Sequence, residues 1–342
     1  MAYTTIDNPS EFFNTLIWTG NGSNPRSHTG LGFKPDWTWH KIRDTASSHM
    51  LYDSTRGVGK RLHSNQNVAE ATETAEGTIT SFDSDGFTLA AGTSNDFYVN
   101  TSSKTYVAWN WKANGGTTTS FTESGSNPGG TYQANTTAGF SIVTYTGTGS
   151  AGTVQHGLGA VPELIIFKDR GDSSNWLVYT EPTGNTHTLF LNRTVAKEDD
   201  ATLYNDTTPT SSVFSLGAHN DINANDDTYV AYCFTSIKGY SKIGSYTGNG
   251  SNDGTFVYTG FKPAWLLIKR TDAAEDWWLH DNKRNTINPI DKQLYANATS
   301  SEPTETSEDF VSNGFKFRNF NVNWNASGGT FIYMAFAEHP FV

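Results

Sequence analysis

The sequence predicts an all-β protein built of three tandem β-sandwich modules. Three observations predict it: one unit is written three times, its apolar runs are short and alternating, and turn-forming residues fill the gaps. Hydrophobic residues make up 35% of the 342 and aromatics 13%, while Gly alone supplies 32. That balance suits many short strands and little helix. The chain also exceeds the usual size of one domain, so several units are expected.

The unit opens with "WTGNGS" (18–23), "YTGTGS" (145–150) and "YTGNGS" (246–251). From Gly20, Gly147 and Gly248 a proline follows at fifteen residues, as Pro35, Pro162 and Pro263, and a lysine six residues later, as Lys41, Lys168 and Lys269. Each copy closes with "TYVAWNW" (105–111), "TYVAYCF" (228–234) or "TFIYMAF" (330–336). A register kept over about 100 residues marks modules large enough for two packed sheets, whereas solenoid units run to about 20–45. The modules fall at 13–113, 139–238 and 239–342. Gly20 and Gly147 are 127 apart and Gly147 and Gly248 only 101, an excess of 26 residues. Residues 114–138, rich in Gly, Ser and Thr, absorb that excess and read as a linker or loosely ordered arm. "SIKGYSK" joins copies two and three closely.

After the "TGNGS" turn, the proline suits a strand start, where a missing backbone donor costs least. Two and four residues beyond it stand Trp37 and Trp39, Leu164 and Ile166, or Trp265 and Leu267, which form one strand face. The opposite face carries Ile165 and Phe167, or Leu266 and Ile268, but Thr38 and His40 in copy one. Thr38 and His40 are therefore the candidate docking face, with copy one and the arm attaching and copies two and three outermost. The next strand is "HMLYD" (49–53), "WLVYT" (176–180) or "WWLHD" (277–281). Its first residues, His49, Trp176 and Trp277, are the candidate sugar-stacking residues, with core packing as the alternative. In the closing strand Val107, Trp109 and Trp111 alternate as a core-facing row. Lone Cys233, on the other face, reads as a packed thiol.

"FDSDGFTL" (82–89) resembles a calcium loop, but its counterpart "FVSNGFKF" (310–317) keeps only the hairpin turn. "NDINANDD" (220–227) reads as a solvated loop. Asp53 aligns with Asp281 but with Thr180, and Asp44 with Asp272 but with Gly171, a variability that suits solvated loop positions better than catalysis. No nucleophile elbow, phosphate loop or dinucleotide fingerprint is present, and nine histidines lack paired-ligand spacing. No catalytic residue, metal or cofactor is expected. A net charge of −11 disfavours a nucleic-acid partner. One cysteine rules out an intrachain disulfide, and the start "MAYTTIDNPSEFF" has no signal-peptide character. No apolar run is long enough for membrane insertion by a helix.

The segments "GLGFKPDWTWHKIRD" (30–44), "LYDSTRG" (51–57), "SFDSDGFTL" (81–89), "TYVAWNWKANGG" (105–116), "ANTTAGFSIVTYTGTGS" (134–150) and "HGLGAVPELIIFKDR" (156–170) resemble a family of tandem β-sandwich repeats in virion and tail-fibre-like proteins of marine bacteriophages. The third copy departs most from that pattern, losing "RG" and the Asp-Gly turn. The resemblance implies a concanavalin-like lectin architecture and a virion protein made in a host cytoplasm without a signal peptide. Its implied role is a tail-fibre or tail-associated adhesin contacting host-surface glycans, homo-oligomeric and bound to other virion proteins. A capsid decoration protein is the alternative, and a polysaccharide-degrading tailspike a third reading.

Overall fold

The computed structural model describes residues 4–72, 75–95 and 97–340. Strands account for 44% of it and helix for 5%, so the chain is all-β. In every copy the opening strand pairs with the closing strand, the closing strand with the proline strand, and the proline strand with the strand after it. In copy one that order is Phe13–Thr19, Thr105–Trp111, Trp37–Ile42, Met50–Asp53. Copy two has Phe140–Thr146, Thr228–Phe234, Leu164–Asp169, Leu177–Thr180, and copy three Ser241–Thr247, Thr330–Pro340, Phe261–Arg270, Trp277–Asp281. The register repeats as well. Trp37 faces Trp111 and Trp39 faces Trp109, just as Leu164 faces Phe234 and Ile166 faces Tyr232, and Trp265 faces Phe336 and Leu267 faces Met334.

Because these strands are apolar on both faces, each sheet must be covered twice. One face packs on a smaller sheet of the same copy. In copy one Met50, Tyr52, Tyr106 and Ala108 meet Ile79, Phe87 and Leu89. Copy two packs Ile165, Tyr179 and Cys233 on Val154, Phe214 and Leu216, and copy three packs Leu266, Ile268 and Ala335 on Val257, Phe310 and Phe315. The other face turns inward to a core common to all three copies, holding Trp37, Trp39, Trp109 and Trp111 with Leu164, Ile166, Tyr232 and Phe234 and with Trp265, Leu267, Met334 and Phe336. Rings from different copies touch there. Trp37 stacks on Tyr232 at 4.5 Å, Trp111 meets Trp265 edge-on at 5.4 Å, and Phe234 meets Phe336 at 6.1 Å.

Two expectations are corrected here. Thr38 and His40 form no open face: both are fully buried, His40 against the rings of Phe87 (4.8 Å) and Trp18 (5.9 Å). Burial, then the neighbouring His28, holds the His40 pKa down at about 3, so a neutral imidazole packs as an aromatic would. Residues 114–138 are not a loose arm either. Thr119–Phe121 and Gly130–Asn135 form two strands that extend the sheet of copy two beyond Phe140–Thr146. Phe121 joins the buried cluster between the two sheets of that copy, while Gln133 Nε2 donates to Ser54 Oγ (2.8 Å) and Thr55 Oγ1 (2.5 Å) of copy one. Short Ser/Thr/Gly-rich strands lack the apolar alternation that sequence periodicity detects.

Candidate functional site

His49, Trp176 and Trp277, the expected ligand-stacking residues, are each fully buried and together close a ring. Trp176 Nε1 donates to the carbonyl of His63 in copy one (2.8 Å), and Trp277 Nε1 to that of Phe190 in copy two (2.8 Å). His49 Nε2 lies 2.9 Å from the carbonyl of Tyr295 in copy three. Its Nδ1 accepts from Trp39 Nε1 at 2.8 Å, which leaves Nε2 as the donor. No ring is left free to stack on a sugar, so the ligand reading of these three residues is corrected. Their polar tips are satisfied across the boundary between copies, which suits amphipathic side chains at a buried interface.

The ring has three boundaries, and two carry buried ion networks. Between copies three and one, Arg284 Nε donates to Asp281 Oδ2 (2.5 Å), Arg284 Nη1 to Glu302 Oε2 (3.0 Å), and Arg43 Nη2 to Glu302 Oε1 (2.7 Å). Trp109 Nε1 of copy one completes Asp281 at 2.9 Å. Between copies one and two, Arg56 pairs with Asp53 and with Glu70 (2.8 Å), Arg170 pairs with Glu70 (3.0 Å), and the Tyr232 hydroxyl donates to Asp53 (2.7 Å). Burial alone would raise the Asp281 and Glu302 carboxyls. The facing guanidiniums overcome it and hold both below the usual carboxylate range. Asp53 and Asp281 are thus buried anchors rather than solvated loop residues. The arginine of "LYDSTRG" is retained in copy three as Arg284, so copy two is the divergent one.

The third boundary, between copies two and three, keeps the backbone but changes the chemistry. Lys197 N donates to the Thr271 carbonyl (2.9 Å), matching Glu70 to Arg170 (2.9 Å) and Glu302 to Arg43 (2.7 Å). Thr180 and Thr183 stand where the other boundaries have Asp and Arg, Lys197 where they have Glu, and Thr271 where they have Arg. Met334 replaces the donors Trp109 and Tyr232. Arg270, one residue early, turns to Asp272 instead (2.9 Å). Without two guanidiniums to fill it, the boundary opens into a cleft of about 330 Å³ lined by Thr183, Lys197, Ser245, Thr247, Thr271 and Thr330. A crevice of about 290 Å³ also lies between copies three and one, but it is lined by residues such as Asn8, Ser10, Asn14 and His339, away from the ion network.

Sequence reasoning missed Thr183, Lys197 and Thr271. The available signal was the loss of Arg and Asp together in "VYTEPTG", which a copy-by-copy comparison of coupled positions detects. Asp85 accepts the amides of Gly30 (3.0 Å) and Gly32 (2.6 Å), in keeping with a turn rather than a calcium loop. Asp169, Asp172 and Asp227 bring carboxylate oxygens within 4.8 Å of one another. Asp169 there accepts the Gly171 (2.8 Å) and Asp172 (3.0 Å) amides. The repeat lysines Lys41, Lys168 and Lys269 are fully buried and donate to backbone carbonyls, as Lys269 Nζ does to Thr194 O at 2.7 Å. Burial depresses each to about 8. Burial pushes the Cys233 thiol up and away from reactivity.

No described helix is long and apolar enough to cross a membrane. No curated protein and no solved structure matches the chain. One family model does match, and it spans residues 8–340, all three copies and the segment between them, as one unit. The interlocked core explains why these copies travel together, and the chain belongs to that family, the domain of unknown function DUF7483.

Proposed function

We propose that this chain is a non-catalytic surface protein of a bacteriophage particle, a tail-fibre or tail-associated adhesin that contacts host-surface glycans. The observation that carries the reading is the ring itself. Three copies of one sandwich bury their aromatic and ionic groups against each other and leave Gly-, Ser-, Thr- and Asn-rich loops outside. Such a body is a rigid display scaffold: binding positions on loops are held by a core that need not move. Of the aspartates that sequence comparison aligns, Asp53 and Asp281 are consumed in structural pairs.

Threefold repetition within one chain also favours a second reading, capsid decoration, because such a body matches a local threefold axis of an icosahedral shell. Electron microscopy of particles labelled through an antibody to the chain separates the two. Label at the tail supports the adhesin, label over the head supports decoration, and unlabelled particles would refute both. Retention of the purified chain on immobilised host polysaccharide tests the glycan contact, and polysaccharide shortening in the same assay would move the assignment to a tailspike.

A further inference from the structure

We infer that the cleft between copies two and three binds an acidic saccharide residue, a sugar ring carrying a carboxylate. This rests on the glycan-binding reading above and names its site. The argument begins from an internal control, since the same location occurs three times in one chain. At two of them, a carboxylate (Glu70 or Glu302) lies between two guanidiniums in the gap between copies. At the third, both arginines and both carboxylates are replaced, while the backbone hydrogen bond that sets the gap is kept at 2.9 Å. The gap retains its frame and loses its filling.

What lines it has a definite chemistry. Five hydroxyl-bearing residues, Thr183, Ser245, Thr247, Thr271 and Thr330, line it together with one lysine, Lys197. Thr183 donates to the Thr180 carbonyl (3.1 Å), and Thr271 is bonded to Thr330 (2.7 Å). Ser245, Thr247 and Lys197 engage no partner through their side-chain polar atoms among the described residues, and all three are exposed. Hydroxyls both donate and accept, as sugar hydroxyls do, so a rim of Ser and Thr pairs with a polyol in either sense. Pro182 and Ile332 add apolar wall for the carbon face of a ring. No carboxylate lines this cleft, so the lone ammonium selects an anionic substituent. At about 330 Å³ the volume lies at the lower end of small-ligand sites and suits one or two sugar rings.

The test uses the full chain with glucuronate as probe, and glucose, acetate and inorganic phosphate as comparators, read by saturation-transfer NMR and calorimetry. Saturable glucuronate binding is expected, with glucose weaker by at least about tenfold, the worth of one charge-assisted contact. Lys197→Ala, a change at an exposed position, is expected to erase that preference. Thr180→Asp/Thr183→Arg/Lys197→Glu/Thr271→Arg rebuilds the filling of the other two boundaries and is expected to abolish binding of both sugars, with thermal unfolding showing that the fold persists. Absence of glucuronate binding, or equal binding by the filled variant, overturns the inference. Acetate or phosphate binding as tight as glucuronate overturns its sugar part. If the filled variant still adheres to host polysaccharide, the cleft is not the site while the adhesin reading stands. If the unaltered chain adheres to no polysaccharide, that reading itself falls.

Discussion

Arg284→Ala is expected to destabilise the whole ring by about 3–5 kcal/mol, the usual cost of breaking a fully buried ion pair by removing one partner. The guanidinium has no exposure and serves four neighbours: Asp281, Glu302 (3.0 Å), the Leu279 carbonyl (2.9 Å) and the Trp109 ring, 5.5 Å away. Its loss leaves Asp281 buried with the Trp109 indole (2.9 Å) and two backbone amides, of Lys283 (3.0 Å) and Arg284 (2.8 Å). Those donors stabilise the carboxylate but do not neutralise it. The double variant Asp281→Thr/Arg284→Thr imports the neutral pair that copy two already uses, Thr180 and Thr183, whose hydroxyls are 2.9 Å apart. It should cost less than the sum of the single changes, with a coupling of about 2 kcal/mol. Urea unfolding followed by tryptophan fluorescence measures Arg284→Ala and all four corners of the cycle, with Asp281→Thr and Arg284→Thr as its single variants. A loss under about 1 kcal/mol for Arg284→Ala would refute the assignment of this pair as a buried anchor, and so would strict additivity.

Trp109→Ala removes a fully buried ring from the shared core and should cost about 3–5 kcal/mol; because that core is common, all probes should unfold together, and a transition confined to copy one would count against it. Lys41, Lys168 and Lys269 have folded pKa values near 8, below their unfolded value of 10.5, so between these limits the unfolded chain binds more protons. Stability should therefore rise with pH from about 8, by at most about 1.4 kcal/mol per pH unit per lysine. The buried tyrosines reverse the trend above about 10, since Tyr52 ionises only near 12 when folded. The triple lysine-to-methionine variant should lose the rise in a urea series, and a rise that survives it would show another source. A fragment of residues 117–342 keeps the two added strands of copy two but exposes Tyr232, Phe234, Trp265 and Phe336, whose rings meet Trp37 and Trp111 of copy one, and should fail to give a folded monomer by circular dichroism and size-exclusion chromatography; a stable monomer would show that copies two and three fold without copy one.

Much of the fold was legible because local physics repeats with the sequence. Alternation placed Trp109 and Trp111 on a buried row, the proline spacing aligned the three strands, and Asp-Gly against Asn-Gly identified a turn. The candidate site was less legible. Thr38 and His40 looked open because their residue types are polar, yet both are fully buried, His40 as a neutral imidazole against the rings of Phe87 and Trp18. Trp176 and Trp277 looked available because a tryptophan at a strand end has the same letters whether its indole points to solvent or to a neighbour's carbonyl.

By itself, then, the sequence determined the all-β class, the threefold repeat and which strand positions correspond between copies, since each depends on a spacing written within one repeat. Only the tertiary structure decided that the sheets turn their second faces to one another. Apolar residues on both faces show that each face is covered, but not by what. The same holds for the boundaries: Asp281 and Trp109 are 172 residues apart, and no local pattern links them. The open cleft follows from that closure, because a threonine in place of an arginine becomes a cavity only where a neighbouring copy stands opposite.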